Sequence, residues 1–436
     1  MCLSSPGDDH DKVAEYNYLG RMSKHLAFVS VPAYGHVNPT LPLVEELVAR
    51  GHRVSYATGS ELLPAVREAG ATPVELPWDF DVSKIVGRGF GADGSRAAAM
   101  MTKLIESSRV CLPVLVEHFG DDRPDAVCHD GMSFVGSALA DKIDVPAVAL
   151  IPSFASNKHF DLRSKMRGSA GADAASAVLA EVQAALKAFA ADNGLSERFA
   201  VFGQEPTAGL KVAFIPRSFQ FAGETFDDTF RFIGPSLGSR AHSDEWSPPA
   251  DGSPVLFISL GTVFNDRPEF FAMCVEAFGG SPWHVVMSIG AAVDPASLGA
   301  IPSNFEVGSR FPQPAVLGHA RAFVSHTGMN STMEALYQAV PLIAVPQMGE
   351  QVLNAERAEE LGCGRKLDPE TLTADLLRDT VSQVADDETI RANLARVSRE
   401  LRACGGATEG AEAIEAYLGE LTATSNTVSR PSSSSH

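Results

Sequence analysis

What this chain lacks narrows it before any motif is read. It has no excess of positive charge: 35 Lys and Arg stand against 54 Asp and Glu, for a net charge of -19. Nucleic acid and anionic membrane surfaces demand clustered cations, so neither is an expected partner. No apolar run reaches the roughly 18 residues of a membrane span, and residues 1–23 mix Asp, His, Lys, Glu and Arg without a signal-peptide core. The six cysteines (2, 111, 128, 274, 363 and 404) include no Cys-x-x-Cys. In a chain of this length that is the pattern of reduced, mostly buried thiols, and a cytoplasmic protein is expected. No Gly-x-Gly-x-x-Gly follows a strand, which disfavours a dinucleotide-dependent oxidoreductase. Residues 131–135 (GMSFV) lack the final Gly of a hydrolase elbow, which disfavours a serine hydrolase. His319 and His326 have no metal-ligand spacing with other donors. Asp79-Phe80-Asp81 spells a divalent-ion D-x-D but reads better as a solvated loop, so no metal is expected.

What is present is a large apolar content, 45% of 436 residues, enough for two globular domains. The first half alternates strands and helices. Residues 25–31 (HLAFVSV) form an apolar strand, Asn38-Pro39 open a helix through Val48, residues 53–57 give a second strand, residues 62–68 a second helix, and residues 73–76 a third strand. This βαβ order predicts a parallel sheet. Ligands of such sheets bind beyond the strands' carboxyl ends, so the loop carrying His36 faces the crevice. Regularity fails over residues 78–95, where Gly87, Gly89, Gly91 and Gly94 predict a mobile loop. A helix around residues 100–119 precedes a strand at 125–129 that delivers Asp130, and a further strand follows at 145–151. An alanine-rich helix is expected at 170–192.

Residues 236–254, rich in Gly, Ser and Pro, read as an interdomain linker between domains 24–235 and 255–405. The second half repeats the first: strands at 255–259, 284–288, 305–307 and 342–345, and helices at 268–278, 351–361, 373–385 and 388–403. A helix at 406–421 crosses back to the first domain. Residues 1–23 and 422–436 are expected to be disordered. Within this half, residues 322–351 (AFVSHTGMNSTMEALYQAVPLIAVPQMGEQ) stand out. A buried strand turns abruptly at His326-Thr327-Gly328-Met329 into a helix, with Asn330 and Ser331 as N-cap candidates and Ser331 to Glu334 matching a capping box. The free N–H groups and positive dipole end of such a helix form a phosphate site, which an acidic protein can still offer to an anionic ligand.

These residues carry a resemblance. His326 to Glu334 (HTGMNSTME), followed by Val340-Pro341, Pro346-Gln347 and Glu350-Gln351, resembles the donor signature of family 1 nucleotide-sugar glycosyltransferases. Gly35 to Pro39 (GHVNP), Gly51 to Val54 (GHRV) and Asn354 to Gly362 (NAERAEELG) resemble the bacterial macrolide-glycosylating branch. The likeness spans nearly all of residues 24–421. It implies a GT-B fold, two Rossmann-like doubly wound domains facing across a cleft, the first for an acceptor and the second for a UDP-sugar donor.

The resemblance also implies site residues. His36 would be the general base, oriented by Asp130; without the family, His36 reads as a turn or cap residue. An imidazole titrating near working pH suits a base, and strand alternation should turn the neighbouring His129 away from the cleft. His326, Gly328, Asn330 and Ser331 would contact the diphosphate, replacing a metal in stabilising the leaving group. Glu334 has two readings, completing the capping box or binding the ribose hydroxyls. Glu350 and Gln351 would hold the sugar, with Asn354 starting the next helix beside them. Thr262 either touches phosphate or sugar or belongs to a plain turn. One departure stands out: where the family has Trp in W-x-P-Q, this chain has Arg310-Phe311-Pro312-Gln313. Either the guanidinium stacks on the base or Phe311 takes that place. The expected reaction is inverting transfer from a UDP-sugar, glucose in the family branch, to a hydrophobic natural product such as a macrolide. A biosynthetic dTDP-deoxysugar transferase is the alternative, which Glu350 and Gln351 disfavour because a missing hydroxyl would leave one unpaired. The acceptor-binding residues are not legible.

Overall fold

The structure, a computed structural model, describes residues 23–78, 95–167, 172–196, 199, 208–238, 246–262 and 265–428. The D-x-D at residues 79–81 and the glycines at 87, 89, 91 and 94 lie outside them.

Two sheets form the frame. The first contains β1 (His25–Val29), β2 (Arg53–Thr58), β3 (Thr72–Glu75), β4 (Ala126–Asp130), β5 (Ala147–Ile151), β6 (Leu210–Ala213) and β7 (Phe230–Phe232), in the order β3-β2-β1-β4-β5-β6-β7. The second contains β8 (Val255–Ser259), β9 (His284–Ser288), β10 (Phe305–Gly308), β11 (Ala320–Ser325), β12 (Leu342–Ala344) and β13 (Gly364–Lys366), in the order β10-β9-β8-β11-β12-β13. Every strand pairing between them is parallel. Parallel strands are covered on both faces, which is why β1 and β8 are apolar except for His25 and Ser259 at their ends and are buried at all five positions. Alternation then divides the β1 side chains between two cores. Leu26 and Phe28 pack with Val54 and Tyr56, while Ala27 and Val29 pack with Val127 and Leu139.

The helices that position the site are α1 (Tyr34–Val37), α2 (Leu41–Ala49), α3 (Phe134–Lys142), α4 (Met329–Tyr337), α5 (Gly349–Glu360) and α6 (Gly406–Val428). Three sequence expectations are corrected here. Asn38 does not cap the first helix: α1 is a separate turn holding His36, and α2 begins after Thr40, with a Pro at its N1/N2 position. Asn354 does not start its helix; it lies fully buried within α5, which begins at Gly349. Helix α6 does not stop at residue 421 but continues to Val428, with the Thr422 and Thr424 hydroxyls donating to the Leu418 and Glu420 carbonyls. Helix α3, which has no counterpart in the sequence reading, is capped by Ser133 accepting from the Gly136 N–H at 3.3 Å.

Helix α6 places Ala411, Ile414 and Leu418 in the core of the first sheet. In the other direction, Phe154, Phe160, Ile215 and Phe219 extend the core of the second sheet into the first half of the chain. Arg357 on α5 donates to the Ser218 and Phe219 carbonyls across the same junction.

Candidate active site

Each sheet reverses its strand order once, between β1 and β4 in the first and between β8 and β11 in the second. A crevice opens beyond the carboxyl ends of the strands at such a point. The chain leaves β1 into α1, which presents His36, and β4 ends on Asp130. His36 Nδ1 lies 2.5 Å from Asp130 Oδ2. The carboxylate can only accept, so Nδ1 carries the proton and the lone pair rests on Nε2, as a base requires. Asp130 is 2% exposed, and besides His36 it accepts from the Met132 N–H at 2.7 Å and, more distantly, from the Ser30 hydroxyl at 3.3 Å. Burial alone would raise its pKa, but the His36 charge and these hydrogen bonds reverse that and hold it below 3.8, ionised. Burial likewise opposes charge on His36, yet the Asp130 carboxylate, with a smaller contribution from Glu350, keeps its pKa above 6.5. His129 is hydrogen-bonded to the Asp130 backbone carbonyl and not to its carboxylate; it is 1% exposed, and burial lowers its pKa against the opposing pull of the Asp130 charge.

Opposite this pair, β11 ends at Ser325 and the chain passes through His326, Thr327 and Gly328 into α4. Thr327 adopts a left-handed φ of 58°, a strained choice for a β-branched residue. It is held there from several sides: the Ser325 hydroxyl accepts its N–H, Asn354 donates to its carbonyl at 2.8 Å, and its own hydroxyl reaches the Gln351 carbonyl. The His326 ring sits between two glycines. A methyl group on Gly261 would meet its Nε2 at 2.5 Å, and one on Gly328 at 2.6 Å, so neither position admits a side chain. Gly261 has a φ of 79° as well. Burial lowers the His326 pKa to about 4, so the ring is neutral at working pH. The turns after β8 and β11 thus meet at one uncharged imidazole, with Thr262 exposed beside it.

The capping box is corrected. Gly328 is the N-cap of α4 and no side chain caps it; the glycine leaves room for the His326 ring, and the polar side chains of the first turn are engaged elsewhere. Asn330 Nδ2 donates across the cleft to the Gly35 carbonyl at 3.1 Å. Ser331 Oγ and Glu334 Oε2 both accept from Gln313 Nε2, at 3.1 and 2.6 Å, which gathers three sequence-designated residues into one cluster. Gln351 Oε1 accepts from the Gln347 N–H, and Glu350 Oε1 from the Ser153 hydroxyl of the first half at 2.8 Å. The Arg310 guanidinium stands 4.5 Å from the Tyr34 ring centroid, over α1, whereas Phe311 packs beside Gly308. Sequence reasoning missed Ser30, Tyr34, Ser153 and Asn265. Asn265 donates to the Gly261 carbonyl at 2.7 Å and fixes that turn. Of these only Ser30 leaves a trace, as the polar residue interrupting an apolar strand.

Among the described residues, no group of three or more His, Cys, Asp or Glu side chains is arranged to hold a metal ion, and no helix is long and apolar enough to cross a membrane.

Two parallel sheets whose reversal points face each other define the GT-B class of glycosyltransferase, and the chain belongs to the UDP-glycosyltransferase family. Residues 243–402 match the family described as "UDP-glucoronosyl and UDP-glucosyl transferase". Across 404 residues the chain is 40% identical to the NDP-glycosyltransferase YjiC of Bacillus subtilis (strain 168), covering 90% of this chain and 97% of that one. It is 37% identical to the oleandomycin glycosyltransferase of Streptomyces antibioticus, covering 90% and 91%. Among solved structures, CalG4, the calicheamicin glycosyltransferase, superposes with a TM-score of 0.76 at 35% identity, covering 92% of this chain and 99% of that one.

Proposed function

We propose that this protein moves a hexose, glucose by preference, from a UDP-sugar to a hydroxyl of a hydrophobic natural product of the macrolide type, inverting the anomeric carbon. The observation that carries the reading is the 2.5 Å contact between the half-buried His36 and the buried Asp130, set against the α4 turn by the bond from Asn330 to the Gly35 carbonyl. His36 Nε2 takes the acceptor's proton while its oxygen attacks the anomeric carbon, and the nucleoside diphosphate leaves from the opposite face. Asp130 stabilises the imidazolium formed. The leaving diphosphate is received by the N–H groups at the start of α4 and by His326, Gly328, Asn330 and Ser331, with Thr262 alongside and no metal taking part. Glu334, joined to Gln313, takes the ribose hydroxyls, and Glu350 and Gln351 take those of the sugar. The base stacks at Arg310 with Phe311 adjoining. The names of two similar proteins, acting on oleandomycin and calicheamicin, support the acceptor class.

His36→Ala should lower kcat by about 10²–10⁴-fold, and Asp130→Asn should follow it, with chelator leaving the wild type unaffected. Undiminished turnover in His36→Ala, or loss of activity to chelator alone, overturns the mechanism. Product anomers read by NMR and a donor panel of UDP-glucose, UDP-galactose and dTDP-glucose settle stereochemistry and donor; a preference for dTDP-sugars replaces the UDP reading.

A further inference from the structure

The two residues read as holding the sugar are steadied from different sides. Gln351 is fixed within its own half: its Oε1 accepts the Gln347 N–H at 2.7 Å, and the Gln347 side chain is tied to the Val345 carbonyl at 2.8 Å and to Arg267 at 2.6 Å. Gln351 Nε2 has no partner among the described residues and remains as a donor. Glu350, the second residue of α5, is fixed from the other half. Its Oε1 accepts from the Ser153 hydroxyl at 2.8 Å, and its Oε2 has no partner among the described residues. Ser153 lies in the bend that follows β5, whose Leu150 is the strand partner of Asp130. The Glu350 charge also reaches the His36 ring, so the carboxylate stands on the reacting side of the cleft.

We infer that Ser153 sets selectivity for the donor sugar, by holding one oxygen of Glu350 so that the other faces the sugar's hydroxyls. The inference rests on Glu350 being a sugar contact. A glutamate in the first turn of a helix is otherwise free to swing toward solvent or back onto the helix's own unpaired N–H groups. The Ser153 bond removes those alternatives before the donor arrives, so less ordering remains to be done on binding. With both Oε1 atoms engaged, the pair offers a sugar one acceptor, Glu350 Oε2, and one donor, Gln351 Nε2. A hydroxyl directed away from this fixed pair, as in an epimer, leaves a polar group unmatched, whereas a mobile carboxylate would follow it. Ser153 is therefore a positioning residue, acting through Glu350. Because it belongs to the first half, the sugar is read in full only when the two halves are together.

Kinetics with UDP-glucose, UDP-galactose and UDP-xylose test this on full-length wild type, Ser153→Ala, Glu350→Ala and the double variant. Glu350→Ala shows which donor preference passes through the carboxylate. Ser153→Ala should move the same ratio of kcat/KM values in the same direction, lowering kcat/KM for UDP-glucose by about 10-fold. It should add nothing in the double variant. Ser153→Thr keeps the hydroxyl and should restore the wild-type ratio. UDP alone, titrated by calorimetry, carries no sugar and should bind Ser153→Ala as it binds wild type; weakened UDP binding would mark a general loosening of the cleft and overturn the inference. A ratio unmoved by Ser153→Ala where Glu350→Ala moves it, or additive effects in the double variant, also overturns it and leaves Glu350 at the sugar. If Glu350→Ala moves no ratio, the reading of Glu350 itself fails and the inference falls with it.

Discussion

His326 is held in a neutral state by its burial, and that has a thermodynamic cost that can be read. Its folded pKa of about 4 lies below the ordinary 6.5, so between these values the unfolded chain binds a proton that the folded one refuses. Stability must fall as pH drops through that window, by up to roughly 3 kcal/mol from this group. His326→Asn, which cannot titrate, should flatten the dependence of the urea midpoint between pH 7.5 and 4.5; parallel curves for the two proteins would refute the assignment. His36 acts in the opposite sense: its raised pKa stabilises the fold below 6.5, and that contribution fades as pH climbs through the folded value. The sequence placed both histidines after strands but carried nothing about their charge. That depends on Asp130, 94 residues beyond His36, and on burial created by the whole domain.

At the level of elements, α3 shows how a helix sets the carboxylate of Asp130. Gly136 lets α3 approach β4 so closely that a methyl group there would sit 2.5 Å from His129 Cβ and 3.0 Å from Val29 Cβ. Gly136→Ala should push α3 from the sheet, destabilising by about 1–3 kcal/mol and lowering kcat through displacement of the neighbouring Asp130. A melting curve and a rate measurement check this, and an unperturbed variant would show that the contact is slack. Strands such as β1 and β8 were legible because parallel pairing demands unbroken apolar runs. Helix α3 was not, since its start was masked by a glycine-serine turn that resembled a failed hydrolase motif. Gly328 misled for a related reason: the best capping residues by type, Asn330 and Ser331, lie two and three residues past the N-cap, within the first turn, where their side chains serve the cleft.

Across the whole molecule the two halves are fastened at both ends of the chain. Glu415 on α6 receives Arg50 and the His52 ring, both at 3.0 Å, and is 10% exposed itself. His52 Nδ1 accepts the Lys24 N–H, so its Nε2 proton is free for Glu415. Glu415→Ala leaves the His52 ring N–H unmatched and takes one of several partners from Arg50, which keeps Glu46 and the Thr408 carbonyl; it should cost about 1–3 kcal/mol, visible as an earlier thermal transition of the first half, and an unchanged transition would mean that α6 is held by its apolar face alone. A helix crossing back at residues 406–421 was expected from its place in the chain, and Ala411, Ile414 and Leu418 of α6 pack into the core of the first sheet. The contacts over the cleft, from Asn330 to Gly35, Arg310 to Tyr34 and Ser153 to Glu350, were not, because each joins residues with no sequence relation. The neutral imidazole between Gly261 and Gly328 has a consequence of a different kind. On the proposed reading, a diphosphate received by an uncharged ring, hydroxyls and N–H dipoles gains little from long-range attraction, so its affinity should vary only weakly with ionic strength. Such a grip ignores the salt around it and offers no foothold to the polyanions that a cluster of lysines or arginines would collect.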